Sequence, residues 1–467
     1  MLKRLIALLT GQGSSKARAP STRQASKLKL ARLNALTPLK HTLQPPHTAA
    51  QPQNLAQAPQ ALPPSAVCRE AVLNRAQKVA GYAFSLTYNV RRHSEVIQSL
   101  CDDMLLMNLL EMDIQRLLGK RLTFISLSPS ALASPILKLL PKHGLVIVIS
   151  NLSTLLSQAD MHLAQCQALK QAGARIALQG DITQSGLAPF IALADDVLIN
   201  IGDNDLLTIK AQVVAIQQQA QHASMVATNI RQLDEFNVCT MLPFDFFQGS
   251  FVSSMRTWTA PAMDVARLNI LKLLNVVRQD DDDAALVQVF KQDPTLSFKL
   301  MRYCNSAGAG ASTKVTGLEQ ALHFLGRQAI FRWLTMLLFT SGHGHPLDVA
   351  LMENALVRAR LAELCATASL PSHARDELFI ACVFSLLDVL LCTPMEKILA
   401  EISLPPLVVE ALLERTGTYA PYLALAIACE QDDHEVIATT AQTLGLTLKQ
   451  VMAYQIEAVL WAESAYR

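Results

Sequence analysis

The chain has 467 residues, a net charge of +2 and 51% hydrophobic residues, long enough for two or three domains with cores of ordinary size. Its apolar runs, such as LVIVIS and DVLINI, break well before the roughly 18 residues that a membrane span needs. Nine scattered cysteines without a CxxC pair, and no His at zinc-finger spacing, argue against a disulfide framework or a zinc site and for reduced core thiols in a cytosolic protein.

Charge is unevenly spread. Residues 1–60 hold nine of the 40 Lys and Arg and none of the 38 Asp and Glu, so the rest of the chain is acidic. The opening MLKRLIALLTG has the basic end and short apolar core of a secretory signal but no small-residue cleavage site, and export is not expected. Residues 1–65, rich in Ala, Gln and Pro, cannot bury enough surface to fold alone and read as a disordered basic tail. Such a tail could attract nucleic acid or acidic lipid, yet no recognised reader motif stands behind the charge, and a solvated tether is the plainer reading.

From 66 to 258, short β-rich runs (VAGYAFSLTY, RLTFISLS, GLVIVIS, ARIALQG, DDVLINI, ASMVATNI) alternate with helix-like segments such as LSQADMHLAQCQALKQAG. Strands alternating with helices imply a parallel sheet or an α/β barrel, and six or more such units favour a TIM-like barrel. From 262 to 467 the periodicity is helical throughout, as in ARLNILKLLNVVRQ and ALVRARLAELCATASL. Acids at 280–283 and the pair Asp293, Pro294 fit helix starts, while Asn305 and Ser306 fit a helix end and its following loop.

The order AVLNRAQKVAGYAFSL, FISLSPSAL, LKLLP, QAGARIALQGD, LADDVLINI and FNVCTMLPFDFFQGSFV resembles the EAL family. Its barrel hydrolyses cyclic di-GMP with two metal ions held by carboxylates at the C-terminal strand ends. At the positions where the resemblance implies chemistry, this chain departs from it. The signature Glu is Ala83, an expected Asn is Ser126, and the next strand's Glu falls on Val148 or an adjacent residue of LVIVIS. Paired aspartates become Gln179 and Gly180, with Asp181 one step late. The following Lys and Asp align with Leu198 and Asn200, and a further Glu with Arg231. Gln248 alone is retained. Two hard cations draw their affinity from several charged oxygens, so loss of metal, of turnover and of cofactor need is the expectation, and cyclic di-GMP binding is disfavoured.

KQDPTLSFKLMRYCNSAGAG, LEQALHFLGRQAIFRWLTMLLFTSG, FIACVFSLLDVLLCTPMEKIL and ALLERTGTYAPYLALAIACEQDD resemble an HDOD domain, an output module related to the HD metal-dependent phosphohydrolases. The adjacent His and Asp of active HD enzymes would here be Leu387 and Asp388, and a leucine cannot ligate. His343, His345, His373, Glu353 and Asp376 lack the neighbouring spacing of replacement ligands. A buried carboxylate is costly unless paired, so Asp388 is expected to bond an Arg or several polar groups. Arg327, Arg332 and Trp333 form either a basic and aromatic partner face or a core Trp with solvated arginines.

The resemblance therefore implies a catalytically inactive EAL–HDOD adaptor. It would work through protein partners in circuits touching motility, surface attachment or cyclic di-GMP, with a homodimer left open. The alternatives are a non-catalytic cyclic di-GMP sensor or a residual metal-dependent phosphodiesterase or phosphohydrolase.

Overall fold

The computed structural model describes residues 67–86, 95–118, 120–254, 265–278, 283–305, 315–341, 347–431 and 433–465. The tail at 1–65, His343 and His345, Ser306 and Asp280–Asp282 lie outside them.

Eight strands close into a barrel in chain order: β1 (Val67–Asn74), β2 (Val79–Leu86), β3 (Leu122–Leu127), β4 (Leu145–Ile149), β5 (Arg175–Gln179), β6 (Asp196–Asn200), β7 (Ser224–Thr228) and β8 (Phe246–Gln248). From β2 to β8 neighbours run parallel. β1 is antiparallel to both β2 and β8, which the parallel reading of the sequence did not include. The cause is local. Only a tight turn joins β1 to β2, closed by Gln77 N to Asn74 O at 2.8 Å and by Lys78 N to the Asn74 side chain at 3.1 Å, and a parallel pair needs a crossover of a dozen residues or more.

Because side chains alternate across a strand, the sheet has a barrel face and a helix face. Val72, Phe124, Val146, Val148, Ala177, Leu198 and Val226 fill the interior, with Ala83, Leu122 and Phe246 against them. Gly81 is required where β2 meets β3, since a Cβ there would lie 2.1 Å from the Leu122 carbonyl oxygen. Outside stand α1 (Glu95–Glu111), α2 (Pro135–Leu139), α3 (Leu152–Ser157), α4 (Ala159–Gln171), α5 (Ala188–Leu193), α6 (Leu206–Gln219) and α7 (Leu233–Thr240), and a 3-10 turn, Ser250–Ser253, follows β8.

The remainder is helical: α8 (Val265–Arg278), α9 (Asp283–Gln292), α10 (Pro294–Cys304), α11 (Leu318–Thr340), α12 (Asp348–Cys365), α13 (Ser372–Phe384), α14 (Leu387–Leu391), α15 (Met395–Ala400), α16 (Pro406–Leu413), α17 (Ala420–Gln431), α18 (His434–Thr443) and α19 (Leu448–Ala465). Asp293 caps α10 by accepting from Leu296 N at 2.9 Å, with Pro294 in the first turn. The long periodic segment of α11 bends at Gly326, whose φ of 73° is outside the helical region. α12 is buried almost all round and packs against α11, α13, α17 and α19, as a helix at the centre of a helical domain must. Described barrel and helices belong to one compact unit, Pro64–Arg467. Among the described residues, no helix is long and apolar enough to cross a membrane.

Candidate functional site

Three places gather the polar side chains of the sequence reading. The first is the barrel mouth, where the inward residues at the strand ends meet. Ala83 on β2 stands opposite Glu70 on β1. Ser126 is exposed at the end of β3, whereas Val148 and Leu198 are 3% and 4% exposed and belong to the interior filling. Gln179 ends β5, Gly180 follows with φ 132°, and the Asp181 carboxylate turns back to accept from Thr183 N and Oγ1 at 2.9 and 2.6 Å.

Asn200, by contrast, joins a connected polar group. Its amide donates to Asp203 at 2.8 Å and its oxygen accepts from Asn229 Nδ2 at 3.1 Å. Arg231 in turn donates to Asn229 Oδ1 at 3.1 Å and faces Asp203 at 3.5 Å across an exposed pair. Gln248 donates to Glu70 Oε2 at 2.9 Å. Among the described residues, no three His, Cys, Asp or Glu side chains are grouped as a metal site requires. Glu70, Asn229 and Asp203 were not singled out from the sequence. Period-2 alternation carried back from Ala83 through the β1–β2 turn would have found Glu70; nothing local marks the other two.

The second place surrounds Leu387 and Asp388 at the start of α14. Leu387 is fully buried. Asp388 accepts from its own Val389 N at 2.8 Å and is only half-buried, so the expected bond to an arginine is not made. The reason is competition. Arg358 of α12, 3% exposed, gives both ends of its guanidinium to Glu430 of α17 at 3.0 and 2.7 Å and its remaining nitrogen to Ser385 Oγ at 2.6 Å. Burial raises the Asp388 carboxyl above its ordinary range, against the Val389 N–H and the charges of Arg415 and Arg358. Burial likewise pushes the neighbouring Cys382 thiol up to about 12. Eight of the nine cysteines are buried and all are free thiols.

The remaining candidates are scattered. His373 is exposed, and Asp376 and Glu363 both hold Arg332, whose guanidinium lies 4.3 Å above the Phe379 ring. Trp333 is 6% exposed and stacks near Tyr303 and Phe290, and Arg327 donates to the Val277 carbonyl at 3.4 Å. Of the two readings offered for these three, the burial of Trp333 fits the core indole, and Arg332 has two acidic partners.

The third place is the junction of barrel and helices. Tyr82, buried on the outer face of β2, donates to Glu353 of α12 at 2.5 Å. Arg121 reaches the same carboxylate at 3.4 Å and Glu463 of α19 at 3.8 Å. Asn354 donates to Ser253 Oγ at 2.6 Å and to Glu430 at 3.0 Å, and Gln455 to the Val67 carbonyl at 2.9 Å. Burial and the Glu353 charge raise the Tyr82 hydroxyl well above its ordinary pKa, so it stays a donor.

Several known proteins are similar to this chain. Residues 264–401 match the HDOD domain family. The chain is 24% identical to YuxH of Bacillus subtilis (strain 168) over 428 residues, 85% of this chain and 98% of that one. It is 27% identical over 361 residues to the cyclic di-GMP phosphodiesterase CdgJ of Vibrio cholerae serotype O1, 77% of this chain and 83% of the relative. Among solved structures, the EAL domain of Xanthomonas citri FimX in complex with c-diGMP aligns with a TM-score of 0.33 at 14% identity, over 41% of this chain and 87% of that domain. The chain thus joins a closed eight-stranded barrel to a helical region of which residues 264–401 match the HDOD domain.

Proposed function

We propose that this chain is a catalytically silent adaptor in cyclic di-GMP-linked signalling, its barrel a scaffold and its helical domain the surface that meets a protein partner. The observation that carries this reading is the barrel mouth. Ala83, Ser126, Val148, Gln179, Leu198 and Asn200 stand where the EAL resemblance implies groups for metal and substrate, and Val148 and Leu198 have joined the apolar interior. Two divalent cations need several charged oxygens within a few ångström. Among the described residues, no three His, Cys, Asp or Glu side chains are grouped as such a site requires, which supports this reading. At the HD remnant, Arg358 already supplies Glu430 with a positive charge.

The test is hydrolysis of labelled cyclic di-GMP by the purified full chain in manganese or magnesium. No turnover is expected; turnover abolished by a chelator would overturn the proposal. Calorimetric titration in the same buffers separates the sensor, since micromolar binding without hydrolysis would replace the adaptor with a non-catalytic receptor. Capture of a partner by the full chain and by a variant carrying charge reversals on the helices identifies the half that holds it.

A further inference from the structure

A cavity of about 160 Å³ opens where the barrel rim meets α12 and α17, lined by Arg69, Arg231, Ser250, Ser253 and Asn354 among others. Arg69 is 4% exposed, and its guanidinium lies 4.9 Å from the centroid of the Tyr82 ring. Among the described residues it makes no hydrogen bond and no ion pair. A ring face satisfies only part of a group with five donors, and a buried charge without an anion is costly. Of the carboxylates that also line the cavity, Glu430 has a cationic partner, while Glu70 is bonded to a neutral amide and keeps its charge, which the two arginines must outweigh. Glu430 is held by Arg358 and Asn354, and Glu70 accepts from Gln248.

The position has its own logic. Barrels of this type frequently bind phosphate between the loops after strands seven and eight and a short following helix. Here Arg231 follows β7, while Gly249 and Ser250 follow β8. At Gly249, φ is 151° and a Cβ would lie 2.0 Å from the Ile230 carbonyl oxygen, so the backbone approaches closely where only glycine fits.

We infer that this cavity binds a small oxyanion of the phosphate class, anchored by Arg69, with Arg231 as the second cation and Ser250 offering its hydroxyl. The walls come from β1, the turn after β8, α12 and α17, so an occupant touches barrel and helices together. The inference stands whether or not the barrel hydrolyses cyclic di-GMP.

Titration calorimetry of the full chain with inorganic phosphate, at ionic strength held constant with chloride, tests it. Saturable one-to-one binding and a rise in Tm with phosphate are expected. Arg69→Met should weaken binding by about tenfold or more, the loss of a charged hydrogen-bonding group. Arg231→Gln should weaken it less, and Lys210→Gln on the exposed side of α6 should not change it. Absence of binding at millimolar phosphate overturns the inference, as does wild-type affinity in Arg69→Met. If that variant fails to fold, Arg231→Gln decides, and unchanged affinity there is the overturning result. A parallel titration with a nucleoside monophosphate distinguishes an ester, which then competes with phosphate, from the free ion, and either supports the site.

Discussion

At Asp388, desolvation outweighs the amide and the two arginines that favour the charged form, so the folded state holds its proton more tightly than the unfolded chain does. A carboxyl raised in this way costs stability above its folded pKa and ceases to do so as pH falls toward the ordinary value of 3.8. Asp388→Asn keeps the acceptor for Val389 N and removes the charge. It is expected to be at least as stable as the wild type at pH 7 in urea unfolding, with the difference closing near pH 4; a clear loss of stability at pH 7 would show that the carboxylate is worth more than its burial costs. The sequence marked Asp388 as an acid in an apolar run, but not its neighbours. That Glu430 would claim Arg358 is a pairing 72 residues apart, and no local pattern reports it. Trp333 shows the same limit, because periodicity places it on a helix without saying which of two flanks is covered.

The helix α12 carries three of the contacts that matter, since Glu353, Asn354 and Arg358 lie within two turns. The first two face the barrel through Tyr82 and Ser253, and the last turns inward to Glu430 and Ser385 near the start of α14. Breaking a buried pair strands the surviving charge, so Arg358→Met is expected to cost about 3–5 kcal/mol, with most of it recovered in Arg358→Met combined with Glu430→Met. Urea midpoints for the two single variants and the double one check this as a cycle. Helical periodicity located the segment, and the resemblance assigned it to the HDOD domain. A helix buried on all sides gives no apolar stripe to read, however, which is why Glu353 passed for a spare acid in the sequence. β1 was missed as a barrel strand for a related reason: its direction depends on a tight turn and on pairing with β8, at the far end of the barrel.

Linked domains move independently unless their interface is large and well matched. Here the interface includes a buried tyrosine–glutamate bond, a shared arginine and amide contacts to both β1 and the turn after β8. Thermal unfolding followed by far-ultraviolet circular dichroism and by the fluorescence of Trp333 and Trp461, both helical and read in a Trp258→Phe background, is therefore expected to give coincident transitions. Tyr82→Phe combined with Glu353→Gln should separate them, and two transitions in the wild type would show that the halves unfold independently.

Tyr82 and Ala83 are one peptide bond apart, yet the first looks out to α12 and the second into the barrel. A strand presents its neighbours to opposite sides, so the two are free to change separately across generations. A substitution at Ala83 alters the barrel interior and leaves the bond to Glu353 in place, and a substitution at Tyr82 does the reverse. One strand thus serves two neighbours that need not be tuned together.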